Sequence, residues 1–172
     1  MNGRIAAALL LTGGMAVLAG CGFRLQGSVP LPRSLAAVRI EAGDTQSDFY
    51  FGLRKALSAA GTVIDDEGKQ DAVAVIHIIR DTSVEHVLTV SALNVPNEYE
   101  LTYTMSFSVS SNGQVLIPPE EHVLLRDYSY SESAQLAKQR ERSILSAALA
   151  HDLVTVVMRR LSSLSTSVQA VP

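Results

Sequence analysis

The sequence predicts an α/β fold, a two-layer sandwich in which a mixed four-stranded sheet packs against two helices. One segment in which apolar and polar residues strictly alternate, residues 98–109, is typical of a strand with one buried face. Two further segments, residues 48–60 and 131–164, carry apolar residues at helical spacing. Because the apolar face of a sheet has to be buried, we expect both helices to pack on it.

The first half of the domain is predicted to contain a strand, a helix, a linker and a second strand, in that order. Residues 37–41 alternate and predict the first strand, and the helix over residues 48–60 ends at Gly61. The acidic run at residues 65–69 predicts a solvated linker. Residues 72–79 are apolar on both faces, which predicts a central strand covered on each side and continuing, with a bulge, to residue 90.

The second half of the domain is predicted to contain two hairpins and a long helix. Asn112-Gly113 directly follows the alternating segment and predicts a tight turn. The last strand, residues 115–130, contains Pro118 and Pro119, which suit an edge strand or a bulge. The crossover through the first helix makes the first two strands parallel, and the hairpins add antiparallel strands.

The N-terminus has the layout of a secretory signal. Arg4 is followed by uncharged residues from position 5 to position 23. A transmembrane anchor is the alternative, since this length is near the minimum for a span. Thr12, Gly13 and Gly14 interrupt the apolar stretch and favour the signal.

The segment Leu18-Ala19-Gly20-Cys21 resembles the lipobox of bacterial lipoproteins. The resemblance implies cleavage before Cys21, a diacylglycerol on its sulfur and a fatty acyl group such as palmitate on its amine. Gly22, in place of Asp, resembles the pattern of outer-membrane lipoproteins. We therefore expect a signal peptide at 1–20, a lipidated tether at 21–35, the α/β domain at 36–164 and a flexible tail at 165–172.

Composition excludes several classes of protein. Lys and Arg number 14 and Asp and Glu 17, a formal charge of −3, without the basic excess of nucleic-acid binders. A single cysteine excludes an intramolecular disulfide and a multi-thiolate metal site. With no phosphate-binding glycine loop and no Gly-x-Ser-x-Gly motif, we expect no cofactor, no metal and no enzymatic activity.

One catalytic alternative stays open. His122, next to Glu120 and Glu121, has the residue types of a general base or half a metal site. No recognised motif surrounds these residues. The acidic residues Asp65 and Asp66 are interpreted as part of a solvated turn.

The beginning of the last helix carries a candidate anion site. Lys138 and Arg142 lie about 40° apart around the helix axis and extend its apolar stripe. Cations, unpaired N–H groups and the helix dipole all favour a phosphate there, and Arg126 on the preceding strand can join them. The alternative is that Glu132 and Glu141 neutralise the two cations.

The motifs taken together resemble the LPS-assembly lipoprotein LptE family. They are Cys21–Gly27 after the lipobox, Glu98-Tyr99, Arg126–Tyr130 and Gln135–Lys138, in matching element order. The resemblance implies an outer-membrane lipoprotein, on the periplasmic face, that plugs the LptD β-barrel, assists its assembly and binds lipopolysaccharide. An auxiliary lipoprotein of another envelope lipid-transport system is the alternative.

The resemblance also assigns site residues. Lys138 stands at the place of a family lysine that contributes to lipopolysaccharide binding, with Arg142 and Arg126 as further candidates. The family also has a basic residue near the tip of the central hairpin. In this chain the tip, residues 91–97, carries no Lys or Arg.

Overall fold

The structure, a computed structural model, describes residues 31–66, 74–92, 94–129 and 135–167. The predicted signal peptide, Cys21 and most of the tether lie outside the described residues. So do most of the predicted tail and the first residues of the predicted last helix.

The described chain forms one mixed sheet with two helices, which confirms the predicted fold class. The sheet has five strands in the order β2-β1-β3-β4-β5, with β1 parallel to β2 and β3, and the β3–β4 and β4–β5 pairs antiparallel. A short 3₁₀ turn at Arg33–Leu35 precedes it. The elements are β1 (Ala37–Ala42), α1 (Asp48–Ala59), β2 (Val63–Ile64), β3 (Ala74–Val90), β4 (Pro96–Ser111), β5 (Gln114–Ser129) and α2 (Gln135–Ser167).

The predicted number of strands, four, is wrong because β2 was missed. At two residues, β2 is too short to show a period of two. It pairs with β1, and the backbone N–H of Asp65 donates to the carbonyl of Val38 at 2.8 Å. Asp65 is therefore buried and bonded to Arg39 at 2.9 Å, rather than lying in a solvated linker.

The helices cover only one face of the sheet. The inward side chains of β4 alternate as predicted and are all buried: Tyr99, Leu101, Tyr103, Met105, Phe107 and Val109. The expectation that β3 is covered on both faces is wrong. Ile76 and Ile78 are buried, whereas His77, which lies between them, and Ile79, which follows them, are exposed. Both helices therefore pack on one face and leave the other face of the sheet open.

The Asn112-Gly113 turn and the irregularity of β5 lie where the sequence predicts them. Asn112 and Gly113 have φ values of 50° and 77°, as the two central residues of a type I′ hairpin require. The β4–β5 register shifts after Phe107, next to Pro118 and Pro119 of the edge strand β5. A bulge on an edge strand accommodates two residues that have no N–H to donate.

The two helices approach each other closely above the sheet. Ser47 caps α1, its hydroxyl accepting a hydrogen bond from the Tyr50 N–H at 3.0 Å. A Cβ atom at Gly52 would lie only 3.1 Å from Val154 of α2, so the small residue permits the close packing. α2 continues to Ser167, three residues beyond its predicted end. Its buried residues are Leu149, Ala150, Leu153, Val154, Val157, Met158 and Leu161.

The one-sided burial predicts unequal effects of substitutions within β4. Leu101→Ala removes a fully buried side chain and should lower the free energy of unfolding by about 2–4 kcal/mol. Thr104→Ala, on the open face of the same strand, should change it by less than about 1 kcal/mol. Urea unfolding of both variants measures this, and equal losses would contradict the assignment of the two faces.

Candidate functional site

Lys138 and Arg142 converge on one carboxylate, that of Glu85. Lys138 Nζ lies 3.0 Å from Glu85 Oε1, and Arg142 Nε lies 3.7 Å from Glu85 Oε2. The two cations are one turn apart on α2, whereas Glu85 projects from β3. The structure thus brings two of the predicted site residues together, with a partner that the sequence analysis did not identify.

Two stacked tyrosines complete this cluster. Lys138 Nζ lies 3.5 Å from the centroid of the Tyr99 ring, a cation–π contact. Tyr99 in turn stacks on Tyr128 with 5.4 Å between ring centroids. The Tyr128 hydroxyl donates a hydrogen bond to Glu85. We call Glu85, Tyr99, Tyr128, Lys138 and Arg142 the Glu85 cluster.

The cluster shifts the pKa values of its members in opposite directions. Partial burial raises the pKa of Glu85, but hydrogen bonds from Tyr128 and Lys138 and the nearby cations outweigh it, so the pKa lies below the ordinary 4.5. The pKa of Lys138 is raised, because the Glu85 and Tyr99 contacts outweigh its desolvation. Burial and the hydrogen bond to Glu85 raise the pKa of Tyr128. The shifts of Glu85 and Lys138 favour a charged pair at neutral pH, and the shift of Tyr128 keeps its hydroxyl protonated as a hydrogen-bond donor to that pair.

A polar hollow of about 340 Å³ lies beside Arg142. Ser83 lines it from β3 and Asp48 from the beginning of α1. The Ser83 hydroxyl is buried and has no hydrogen-bond partner among the described residues. About half of the Arg142 side chain is exposed, at 49%. The other lining residues, all from α2, are Gln139, Ser143 and Ser146.

Arg126, the third predicted site residue, is held elsewhere. It projects from β5, and its Nη2 donates to Asp152 of α2 at 3.2 Å. Asp152 lies about 15 Å further along the helix axis than Arg142. The guanidinium of Arg126 is thus directed to a later part of α2 than the Glu85 cluster.

The possible acid–base group does not have the geometry of a catalytic site. Both oxygens of Glu120 accept hydrogen bonds from Arg160, the shortest at 2.7 Å, and this contact lowers the pKa of Glu120. His122 Nε2 lies 3.9 Å from Glu120, beyond hydrogen-bonding distance, and the ring stacks on Phe107. Glu121 pairs with Arg80 at 3.1 Å. Within the described ranges, no three metal-ligating side chains cluster.

A family model decides the relationship of the chain to known proteins. The model described as LptE, lipopolysaccharide-assembly, matches residues 35–161. The chain belongs to the LptE family. It is 26% identical over 156 residues to the LPS-assembly lipoprotein LptE of Yersinia enterocolitica, covering 89% of this chain and 74% of the relative. The LptE of Pectobacterium atrosepticum is 22% identical over 156 residues, covering 90% and 84%.

Solved structures share the fold of this LptE-family chain. Rare lipoprotein B from Shewanella oneidensis superposes with a TM-score of 0.67 at 22% identity, covering 77% of this chain and 98% of that one. Lipoprotein B from Nitrosomonas europaea gives a TM-score of 0.68 at 22% identity, covering 84% and 93%. The family model and the LptE relatives confirm the predicted family, a family of non-enzymatic lipoproteins.

The lowered pKa of Glu85 predicts a pH-dependent contribution to the stability of this LptE-family domain. Since the folded pKa lies below the unfolded one, the charged carboxylate stabilises the fold above about pH 5, and this contribution is lost as pH falls below 4.5. Glu85→Gln should therefore lower the free energy of unfolding by about 1 kcal/mol at pH 7 and by less at about pH 3. Urea unfolding at the two pH values measures the difference.

The matched control is Glu100→Gln, the same substitution on the open face of the sheet, where the carboxylate accepts a hydrogen bond from Thr102 at 3.1 Å. Equal destabilisation by Glu85→Gln at both pH values would show that the ionised form of Glu85 does not stabilise the fold.

Proposed function

We propose that this protein is an outer-membrane lipoprotein that occupies the lumen of an LptD-type β-barrel, assists its assembly and binds lipopolysaccharide during delivery to the outer leaflet. Family membership and the relatives named LPS-assembly lipoprotein support this role. The observation that carries ligand binding is the convergence of Lys138 and Arg142 on Glu85.

The charge of the Glu85 cluster suits an anionic ligand. Two cations and one carboxylate leave the cluster itself with a net charge of +1. The hollow next to it is lined by serine hydroxyl groups and the Gln139 amide, and also by the carboxylate of Asp48. Lipopolysaccharide carries phosphate groups, which arginine and lysine bind through charge-assisted hydrogen bonds. Arg142 is the more exposed of the two cations and is placed to meet the ligand first.

Anchoring is proposed to occur through lipid on Cys21. In the described part of the chain, no helix has the length and apolar character needed to cross a bilayer. Two or more acyl chains on one cysteine are sufficient for stable membrane attachment. Gly22 favours the outer membrane, where the barrel resides.

The open face of the sheet supports the role of a plug. Along β4 its side chains are polar, and the neighbouring strands place Val84 and Leu125 among them. A hydrated barrel lumen can accept such a surface without an extended apolar contact. The polar β4 residues are Glu98, Glu100, Thr102, Thr104, Ser106, Ser108 and Ser110.

Isolation from native membranes tests the partner. Affinity purification of the acylated protein in mild detergent should recover an intact outer-membrane β-barrel in equal molar amount, because a plug is enclosed by its barrel. Mass spectrometry of the eluate identifies the partner. Recovery of an inner-membrane transporter, or of the lipoprotein alone, would contradict the proposal, and the transporter would favour another envelope lipid-transport system.

Substitution of the cations tests the ligand. Lys138→Gln and Arg142→Gln should each weaken lipopolysaccharide binding about tenfold, since each removes one charge-assisted contact worth about 1.5 kcal/mol. Arg126→Gln should have a smaller effect, because Arg126 is held by Asp152. Equilibrium binding of labelled lipopolysaccharide measures all three variants.

Lys55→Gln is the matched control, because it removes an exposed lysine from α1 and should leave the affinity unchanged. Wild-type affinity in both the Lys138 and the Arg142 variants would remove the Glu85 cluster from the binding site.

A further inference from the structure

We propose that the tip of the β3–β4 hairpin binds the hydrocarbon chain of an amphiphile whose anionic group is held by Lys138 and Arg142. The contact surface consists of Val87 and Val90 of β3 and Pro96 at the beginning of β4. This inference rests on the proposed anion-binding role of the two cations. It extends the site from a charged group to a whole amphiphilic molecule.

Val87 lies beside the cation pair, on the helix-facing side of the sheet. It is the cross-strand partner of Tyr99. Directly opposed residues of an antiparallel pair point to the same face, about 5 Å apart. Lys138 Nζ lies 3.5 Å from the centroid of the Tyr99 ring. The apolar side chain of Val87 therefore adjoins the ring over which the lysine lies.

Val90 continues this apolar surface toward the tip. The hairpin register shifts on either side of Thr89, which pairs with Glu98 and donates its hydroxyl to the Glu98 carboxylate at 2.8 Å, on the open face. Because successive side chains alternate, Val90 points to the helix-facing side, where it pairs with Pro96. Along β3, Val90 lies roughly 10 Å beyond Val87.

The described part of α2 leaves this surface uncovered. The helix begins at Gln135, and the side chains of Val87 and Val90 are 52% and 51% exposed. The sequence from residue 87 to residue 97 contains no charged residue. Covering the two valines with a hydrocarbon chain is favourable, and the gain grows with each methylene group that makes contact.

Several backbone groups of the tip are hydrogen-bonded within the tip itself. The Ser91 N–H donates to the Val95 carbonyl at 2.7 Å, and the Asn94 N–H donates to the Ser91 carbonyl at 2.9 Å. The Val95 N–H donates to the Ser91 hydroxyl at 3.2 Å. A hydrocarbon chain can therefore displace water from Val90 without leaving these groups unpaired.

The size of the surface favours a hydrocarbon chain over a protein partner. A stable protein interface buries about 1,200–2,000 Å². The surface at the tip is only two strands wide, with about 5 Å between the strands, and comprises three apolar side chains. One chain is enough to cover it, and an anionic group held by the cations raises the effective concentration of that chain at the tip.

Alkyl phosphates that differ only in chain length test the inference. The affinities of ethyl, hexyl and decyl phosphate are measured with the full-length protein in neutral detergent at pH 7.5. The measured quantity is the ratio of the wild-type affinity to that of a variant, so partitioning of the ligand into detergent cancels. In Val87→Thr/Val90→Thr this ratio should rise from about one for ethyl phosphate to about five for decyl phosphate, because each threonine replaces a contacting methyl group by a hydroxyl.

Two further variants separate the chain from the head group. Lys138→Gln should weaken the binding of all three alkyl phosphates by the same factor, about tenfold, because it removes a contact with the phosphate alone. Val115→Thr/Val123→Thr is the matched control, since it makes the same two substitutions at exposed positions of β5 on the open face. Its ratio should stay near one for every chain length. Thermal unfolding checks that each variant is folded.

The outcomes that overturn the inference are distinct. A ratio for Val87→Thr/Val90→Thr that does not change with chain length overturns it, and so does the absence of binding by all three alkyl phosphates. Unchanged affinities in Lys138→Gln would show that the bound molecule does not reach the cation pair, which also overturns it. Loss of the co-purified outer-membrane barrel from Val87→Thr/Val90→Thr, with alkyl phosphate binding unchanged, would assign the tip to a protein contact instead.

Binding of labelled lipopolysaccharide separates this inference from the proposed function. The expected dependence on chain length supports the inference even if lipopolysaccharide does not bind, and in that case only the proposed ligand is wrong. Normal binding of lipopolysaccharide, combined with a ratio that is the same for all chain lengths, contradicts the inference and leaves the proposed function intact.

Discussion

The architecture depends on one constraint, the burial of a single face of the sheet. The strict alternation of β4 places its apolar side chains on one side, and the register with β3 and β5 extends this face across the neighbouring strands. Both helices must then lie on that side, where they form one core with the sheet. The opposite face stays open: it is polar along β4 and carries exposed apolar side chains, such as Val84, Val123 and Leu125, on the neighbouring strands.

The Glu85 cluster follows from the same arrangement. Because α2 crosses the buried face, its first turns lie over the outer half of β3, where Glu85 faces the helices. A carboxylate there pairs with both cations and holds the beginning of α2 to the β3–β4 hairpin.

The long helices and β4 could be predicted from the sequence, but the β3 residues that face the helices could not. Helices and the β4 strand have clear periods, and Asn112-Gly113 marks its turn, so these were predicted correctly. The β3 strand has a register shift between Ile78 and Arg80, after which the odd-numbered residues face the helices. On a strand with such a shift, the sequence pattern does not distinguish exposed β-branched residues from buried ones. Local patterns also do not show that Glu85 faces Lys138, because the two residues are far apart along the chain. The two-residue strand β2, and with it the burial of Asp65, left no periodic signal at all.

The central claim is that a barrel wall surrounds this domain. Photo-cross-linking in living cells tests it directly, with benzoylphenylalanine placed at Val123 on the open sheet face and, in a second strain, at Ile144 on α2, both of which are exposed. Enclosure in a lumen predicts that both positions form light-dependent adducts with the same outer-membrane β-barrel. Adducts from only one position, or with a periplasmic or inner-membrane protein, would contradict it.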